Sequence, residues 1–173
     1  MSARSRVGRC AVLITGLAIF TSVPAAAQPG SPPRSLAVQV GTSQYDLSGT
    51  GWGPFVATRG RLPWIGPVVI EPGLEVFTYD SRFEDRHTLL LPEVQLQLMR
   101  GEGRVRPYGG VGGGIMLDLS DSGAHGDWTL SASAGSRFAL SDGLDLIGEL
   151  RLRSLTPWTG SMADLGVGLA WDS

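Results

Sequence analysis

The chain contains no lysine, a single cysteine and no long apolar run. Each absence removes a class of protein. One cysteine, Cys10, excludes a disulfide scaffold and a cysteine-built metal site. All 14 basic residues are arginine, they form no basic run, and the formal net charge is −2. Composition therefore gives no electrostatic footprint for nucleic acid. Mean hydropathy is only +0.09 at 42% hydrophobic residues, which excludes a polytopic helical membrane protein. A length of 173 residues points to one domain. Glycine is what the chain has in excess. Its 25 glycines are roughly twice the average share, and they follow no Gly-X-Y period that would indicate collagen.

Residues 1–27 read as a secretory signal peptide. Arg4, Arg6 and Arg9 supply a positive start, Cys10 to Phe20 an apolar stretch, and Pro24-Ala25-Ala26-Ala27 a small-residue cleavage site before Gln28. The apolar stretch is short of the ~20 residues a spanning helix needs. Removal of this segment takes away the only cysteine and three arginines, leaving eleven arginines against 16 acids, a net charge of −5. Residues 28–34 form a short proline-rich lead-in, and residues 35–173 the expected domain.

Within that domain the recurring signal is period-2 alternation, the mark of strands with two unlike faces. Eight segments carry it. About Leu36 to Tyr45, Leu36, Val38 and Val40 oppose Ala37, Gln39 and Gly41. About Trp52 to Trp64, Val56, Thr58, Leu62 and Trp64 oppose Arg59 and Arg61. About Val68 to Tyr79, Ile70, Leu74 and Val76 oppose Glu71 and Glu75. About Leu89 to Arg100, Val94, Leu96 and Leu98 oppose Glu93, Gln95 and Gln97. About Arg104 to Leu117, Val105, Val111, Ile115 and Leu117 oppose Arg106, Tyr108 and glycines. About Trp128 to Leu140, Leu130, Ala132, Ala134 and Phe138 oppose Thr129, Ser131, Ser133 and Arg137. About Leu144 to Trp158, Leu146, Leu150 and Leu152 oppose Glu149, Arg151 and Arg153. About Ala163 to Trp171, Leu165, Val167, Leu169 and Trp171 oppose Asp164, Gly166, Gly168 and Ala170.

The connections alternate in length. Gly66-Pro67, Gly101-Glu102-Gly103 and Ser141-Asp142-Gly143 are tight turns, whereas Asp80 to His87 and Ser120 to Asp127 are expected to be longer polar loops. An even number of strands, tight at one end and looped at the other, is the layout of an outer-membrane barrel. A soluble sandwich or barrel also alternates, but it points its apolar face inward. Tryptophan placement favours the membrane barrel. Trp52, Trp128 and Trp158 fall at the loop end, and Trp64 and Trp171 at the turn end beside Phe138, all on the apolar parity. Two such bands are interfacial girdles. The stretch from Trp52 to Trp64 spans about 30 Å at roughly 3.3 Å per residue and a tilt of about 40°. The opposite parity, with Arg59, Arg61, Arg106, Arg137, Arg151 and Arg153 against Glu71, Glu75, Glu93 and Glu149, is then a charged lumen, with Asp118, Asp145 and Asp164 nearer its ends.

Arg106-Pro107-Tyr108-Gly109-Gly110-Val111-Gly112-Gly113-Gly114, and Gly135 to Leu146 followed by Glu149-Leu150-Arg151, resemble strands of the OmpA/OmpX-like outer-membrane β-barrel family, often labelled porin-like. The resemblance covers nearly all of residues 35–173. It implies an all-β fold, an eight-stranded antiparallel up-and-down transmembrane barrel in the cell outer membrane. It also implies contact with outer-membrane lipid, insertion by the barrel assembly machinery and a monomeric state. Gly166, Leu169 and Trp171 resemble the family's terminal assembly signal, which here is followed by Asp172-Ser173 instead of ending on an aromatic.

Chemistry finds little support. The run Gly109 to Gly114 lacks the Gly-Lys-Ser/Thr ending of a phosphate loop. Lipid A deacylases of similar barrel fold carry a His and a Ser two positions apart, and the corresponding Glu149 to Ser154 segment has no His. His87 and His125 are placed in loops. His125 lies near Ser122 and Asp127, and His87 near Asp80, Glu84 and Asp85, without a held constellation. The expectation is no catalytic residue, cofactor or metal, and a lumen too full to conduct. Two alternatives remain open here, a lipid A-modifying membrane enzyme and a soluble periplasmic barrel with a small apolar ligand.

Overall fold

A computed structural model describes residues 34–45, 52–80, 86–101, 103–120, 123–155 and 160–172. The expected signal peptide, the lead-in before residue 34 and Trp158 lie outside these residues. The described chain forms eight antiparallel strands. They are β1 (Ser35–Tyr45), β2 (Trp52–Ile65), β3 (Val68–Asp80), β4 (Arg86–Met99), β5 (Val105–Ser120), β6 (Gly123–Ser141), β7 (Leu144–Leu155) and β8 (Gly160–Asp172). Each pairs with its sequence neighbour, and β1 pairs with β8 from Ser35↔Asp172 to Tyr45↔Met162, so the sheet closes into a barrel with no free edge. Closure is what satisfies every strand's backbone groups where water is absent.

The three tight turns fall at one end, as the sequence indicated. Gly66 and Gly143 hold positive φ of 55° and 76° there, a backbone region that a side chain disfavours. At the other end the structure corrects the expected loop from Ser120 to Asp127. β5 and β6 stay paired through Asp118↔His125 and Leu119↔Ala124 to Ser120↔Gly123, leaving only residues 121–122 between them. Ser120 to Asp127 carries no large apolar residue, so the alternation that marks a strand in lipid is missing from this segment although the described backbone remains extended and Leu117 and Leu119 on β5 are exposed.

The parity of the faces is as expected. The outer face exposes Leu, Val and Ile in alternation, with Val111 65% exposed, and Trp52, Trp128, Trp64 and Trp171 are all exposed. One expectation needs revision. The inner face is not uniformly polar, because two apolar layers cross the lumen. Phe55, Phe77, Leu89, Leu91, Met116 and Met162 form one toward the loop end. Ala37, Met99, Tyr108, Ile147 and Ala170 form the other toward the turn end. A narrow barrel is filled by side chains, and these layers fill it above and below the charges.

Glycines on the inner face make room for the rings. A Cβ at Gly135 would stand 2.6 Å from the Tyr108 ring and from the Gly148 carbonyl. The same holds at Gly41 and Gly166 against Phe55, at 2.7 and 2.8 Å. Gly148, by contrast, has nothing within 4 Å of its Cβ position. Gly135→Ala is therefore expected to lose stability, about 1–3 kcal/mol as an overpacking cost, and Gly148→Ala to be tolerated. Urea titration of the two variants in lipid vesicles, read by the gel shift between folded and unfolded barrel, checks the contrast.

Candidate functional site

The interior charges are the feature that alternation alone predicts and that only the closed barrel can bring together. Arg151 and Arg153 project from β7 across the lumen. Arg151 donates from Nε to Glu149, from Nη2 at 2.8 Å to Glu71, and from Nη1 to Glu93. Arg153 donates from Nε at 2.8 Å to Glu93, from Nη2 at 2.9 Å to Glu75, and from Nη1 to Asp164. From β2, Arg59 donates to Gln39 and Glu75, both at 2.9 Å, and Arg61 to Glu71 at 3.0 Å. Tyr108 Oη donates to Glu149 at 2.8 Å, and Ser43 Oγ to Asp164. Five strands, β2, β3, β4, β7 and β8, are cross-braced by the Arg–carboxylate pairs, and Arg153 is wholly buried at its side chain.

A second, smaller cluster lies at the turn end. Asp145 accepts from Arg106 and faces Arg137 Nε at 2.8 Å, while Arg137 Nη2 donates to Asp172 at 3.2 Å. Between the clusters, Gln95 donates to Ser131 at 2.8 Å and accepts from Ser133 at 2.7 Å. Of the acids expected inside, Asp118 stands apart at the loop end.

There His87 and His125 are on strands, which corrects their assignment to loops. His87 pairs with Tyr79 across β3–β4, and His125 with Asp118 across β5–β6. His87 Nδ1 lies 3.0 and 3.1 Å from the two Asp118 oxygens. The Tyr79 ring stacks on His87 at 5.0 Å and on Tyr45 at 5.0 Å. Tyr45 and Tyr79 come from strands separated by β2, where a Cβ at Gly53 would stand 2.6 Å from the neighbouring Phe77 ring. Sequence reasoning missed this half-buried stack. Its signal was available, since Tyr45, Phe77 and Tyr79 all share the inward parity of their strands.

An acid-held imidazole is two-thirds of a nucleophilic constellation. Of the residues set beside the histidines in the sequence, Ser122, Glu84 and Asp85 and the Asp80 side chain lie outside the described structure. Among the described residues no three of His, Cys, Asp and Glu come together to hold a metal.

No protein-family model matches the chain, and no curated protein matches it. Solved structures do. Neisserial surface protein A is similar over 83% of this chain and 99% of its own, with a TM-score of 0.71 at 12% identity. Ail, the attachment invasion locus protein of Yersinia pestis, is similar over 80% and 97%, at 0.57 and 11%. The outer membrane enzyme PagL is similar over 80% and 99%, at 0.52 and 9%. Identities this low speak to the fold alone, and the fold of the chain is that of the small eight-stranded outer-membrane β-barrels.

Proposed function

We propose that this outer-membrane barrel is a closed structural or surface-interaction protein, acting through its loop end, with no catalytic role and little or no pore activity. The observation that carries this reading is the filled lumen. Among the described residues two apolar layers sandwich an Arg–carboxylate network, and the interior of an eight-stranded barrel is just wide enough for side chains to fill. A soluble ligand-binding barrel needs the opposite arrangement, with its apolar face inward, whereas here Trp128 is 71% exposed on the outside. The reading includes lipid as the surrounding partner, assembly by the barrel machinery and a monomeric state.

A second reading, an enzyme acting on lipid A, has one observation in its favour, the His87–Asp118 pair at the open mouth. Mass spectrometry of lipid A from cells with and without the protein separates the two. An unchanged acylation and headgroup pattern is expected, and a new species dependent on His87 would establish the enzyme. In planar bilayers the protein is expected to give no stable large-conductance channel. A steady open level would remove the closed-lumen reading.

The network predicts a stability effect. Arg153→Leu leaves Glu75, Glu93 and Asp164 facing one another without their shared cation, and breaking a buried pair from one side costs about 3–5 kcal/mol. Glu75→Gln combined with Arg153→Leu is expected to recover part of that loss. A double-mutant cycle from urea unfolding in vesicles checks it, and additive losses would show that the pair does not act as a unit.

A further inference from the structure

The turn-end layer leaves buried donors without acceptors, whereas in the centre of the barrel Arg59, Arg151 and Arg153 meet Glu75, Glu93, Glu149 and Asp164. Arg106 and Arg137 stand directly opposite each other on β5 and β6, both facing inward. Like charges in that position repel across the ladder. Arg61 enters the same layer from β2, beside Ser35, which in turn pairs with Asp172. Both Arg61 and Arg106 act repulsively on Arg137. Arg106 and Arg137 share Asp145, Arg137 also reaches Asp172, and Arg61's partner Glu71 is shared with Arg151.

Donors are left over. Arg61 Nη1 and Nη2, Arg106 Nε and Arg137 Nη1 are buried without a hydrogen-bond partner, and so is Ser35 Oγ. Arg61 is 3% and Arg137 0% exposed at its side chain. The face of the Arg61 guanidinium lies 4.2 Å from the Tyr108 ring centre, which occupies its π face and leaves its edge N–H groups free. Buried unpaired donors are uncommon in native proteins and call for an acceptor. Four guanidinium nitrogens and a hydroxyl, arriving from β1, β2, β5 and β6, suit an acceptor that carries several oxygens and a negative charge, because charge-assisted hydrogen bonds to an oxyanion are the strong ones a guanidinium makes.

We propose that the turn end of the lumen binds a phosphate-class oxyanion, held by Arg61, Arg106, Arg137 and Ser35. Arg106, whose side chain is 15% exposed, is the outermost of the three and forms the entrance, turning aside to admit the anion. Asp172, which competes for Arg137, tunes the affinity. The ligand reaches the site from the periplasmic side, either as a soluble phosphate or as the headgroup of an inner-leaflet lipid.

The full chain, recovered from outer membranes in a neutral detergent, can be titrated calorimetrically with inorganic phosphate and separately with dihexanoyl phosphatidylglycerol, at constant chloride. Saturable binding of at least one probe is expected. Preference for phosphate identifies a soluble source and preference for the lipid a headgroup. Arg137→Gln should weaken binding about tenfold, the effect of losing one charge-assisted hydrogen bond. Asp172→Asn, at the barrel rim, should tighten it. Because Arg137→Gln removes a buried partner of Asp145 and can fail to fold, Arg106→Gln at the entrance supplies the same test. Absence of binding by both probes overturns the proposal, as does binding that neither Asp172→Asn nor the arginine variants change.

Discussion

Everything in this barrel depends on keeping charges out of lipid by neutralising them across a closed lumen. A carboxylate or guanidinium in a low-dielectric interior is tolerated only with an opposite charge and satisfied hydrogen bonds. The chain meets that condition by placing its ionic residues on the parity that closure turns inward. Closure in turn rests on them, since Arg151 and Arg153 tie β7 to β3, β4 and β8 across the lumen. The outer face is then free to be apolar throughout its central band. The two apolar layers follow from the same constraint. They place apolar side chains on either side of the network, and a low local dielectric strengthens an ionic hydrogen bond.

Parity makes most of this legible in the sequence. The eight strands, their faces, the tight-turn end and the aromatic bands all follow from period-2 alternation, because a residue's side of a sheet is fixed by its position in the strand. What escaped has a physical cause in each case. The long β5–β6 hairpin was hidden because Ser120 to Asp127 carries no large apolar residue to mark an outward face, so it looked like a loop. The interior apolar layers were hidden because Phe55, Phe77, Leu89 and Met162 share the charged parity, and pattern reading attends to the more apolar face. The Tyr45–Tyr79–His87 stack could be read as inward-facing from parity, but that its rings meet across β1, β3 and β4 depends on the closed barrel, which no local pattern encodes.

The pairing partners were also not legible. Alternation placed arginines and acids in one compartment but could not say that Arg153 would bridge Glu75, Glu93 and Asp164, residues on three different strands. Register sets this. It is fixed by the turns at one end and by β1–β8 closure, and a shift of one residue would turn each charge into lipid. The ionic network therefore selects register as well as depending on it, since a slipped strand has no alternative arrangement that is compatible with the membrane.

The absence of lysine acquires a physical reading inside the lumen. A guanidinium presents several N–H groups in a planar fork and can serve different carboxylates at once, whereas an ammonium is a compact point charge that hydrates strongly. Arg151 serves Glu71, Glu93 and Glu149 from separate nitrogens, and Arg59 serves a glutamine and a carboxylate. Bridging several acceptors lets a few cations hold a larger number of acids in a narrow space. The same fork carries a cost when acceptors run short. At the turn end the supply of carboxylates falls behind the supply of N–H groups, so the residue type that makes the centre self-sufficient leaves the layer below it short of acceptors.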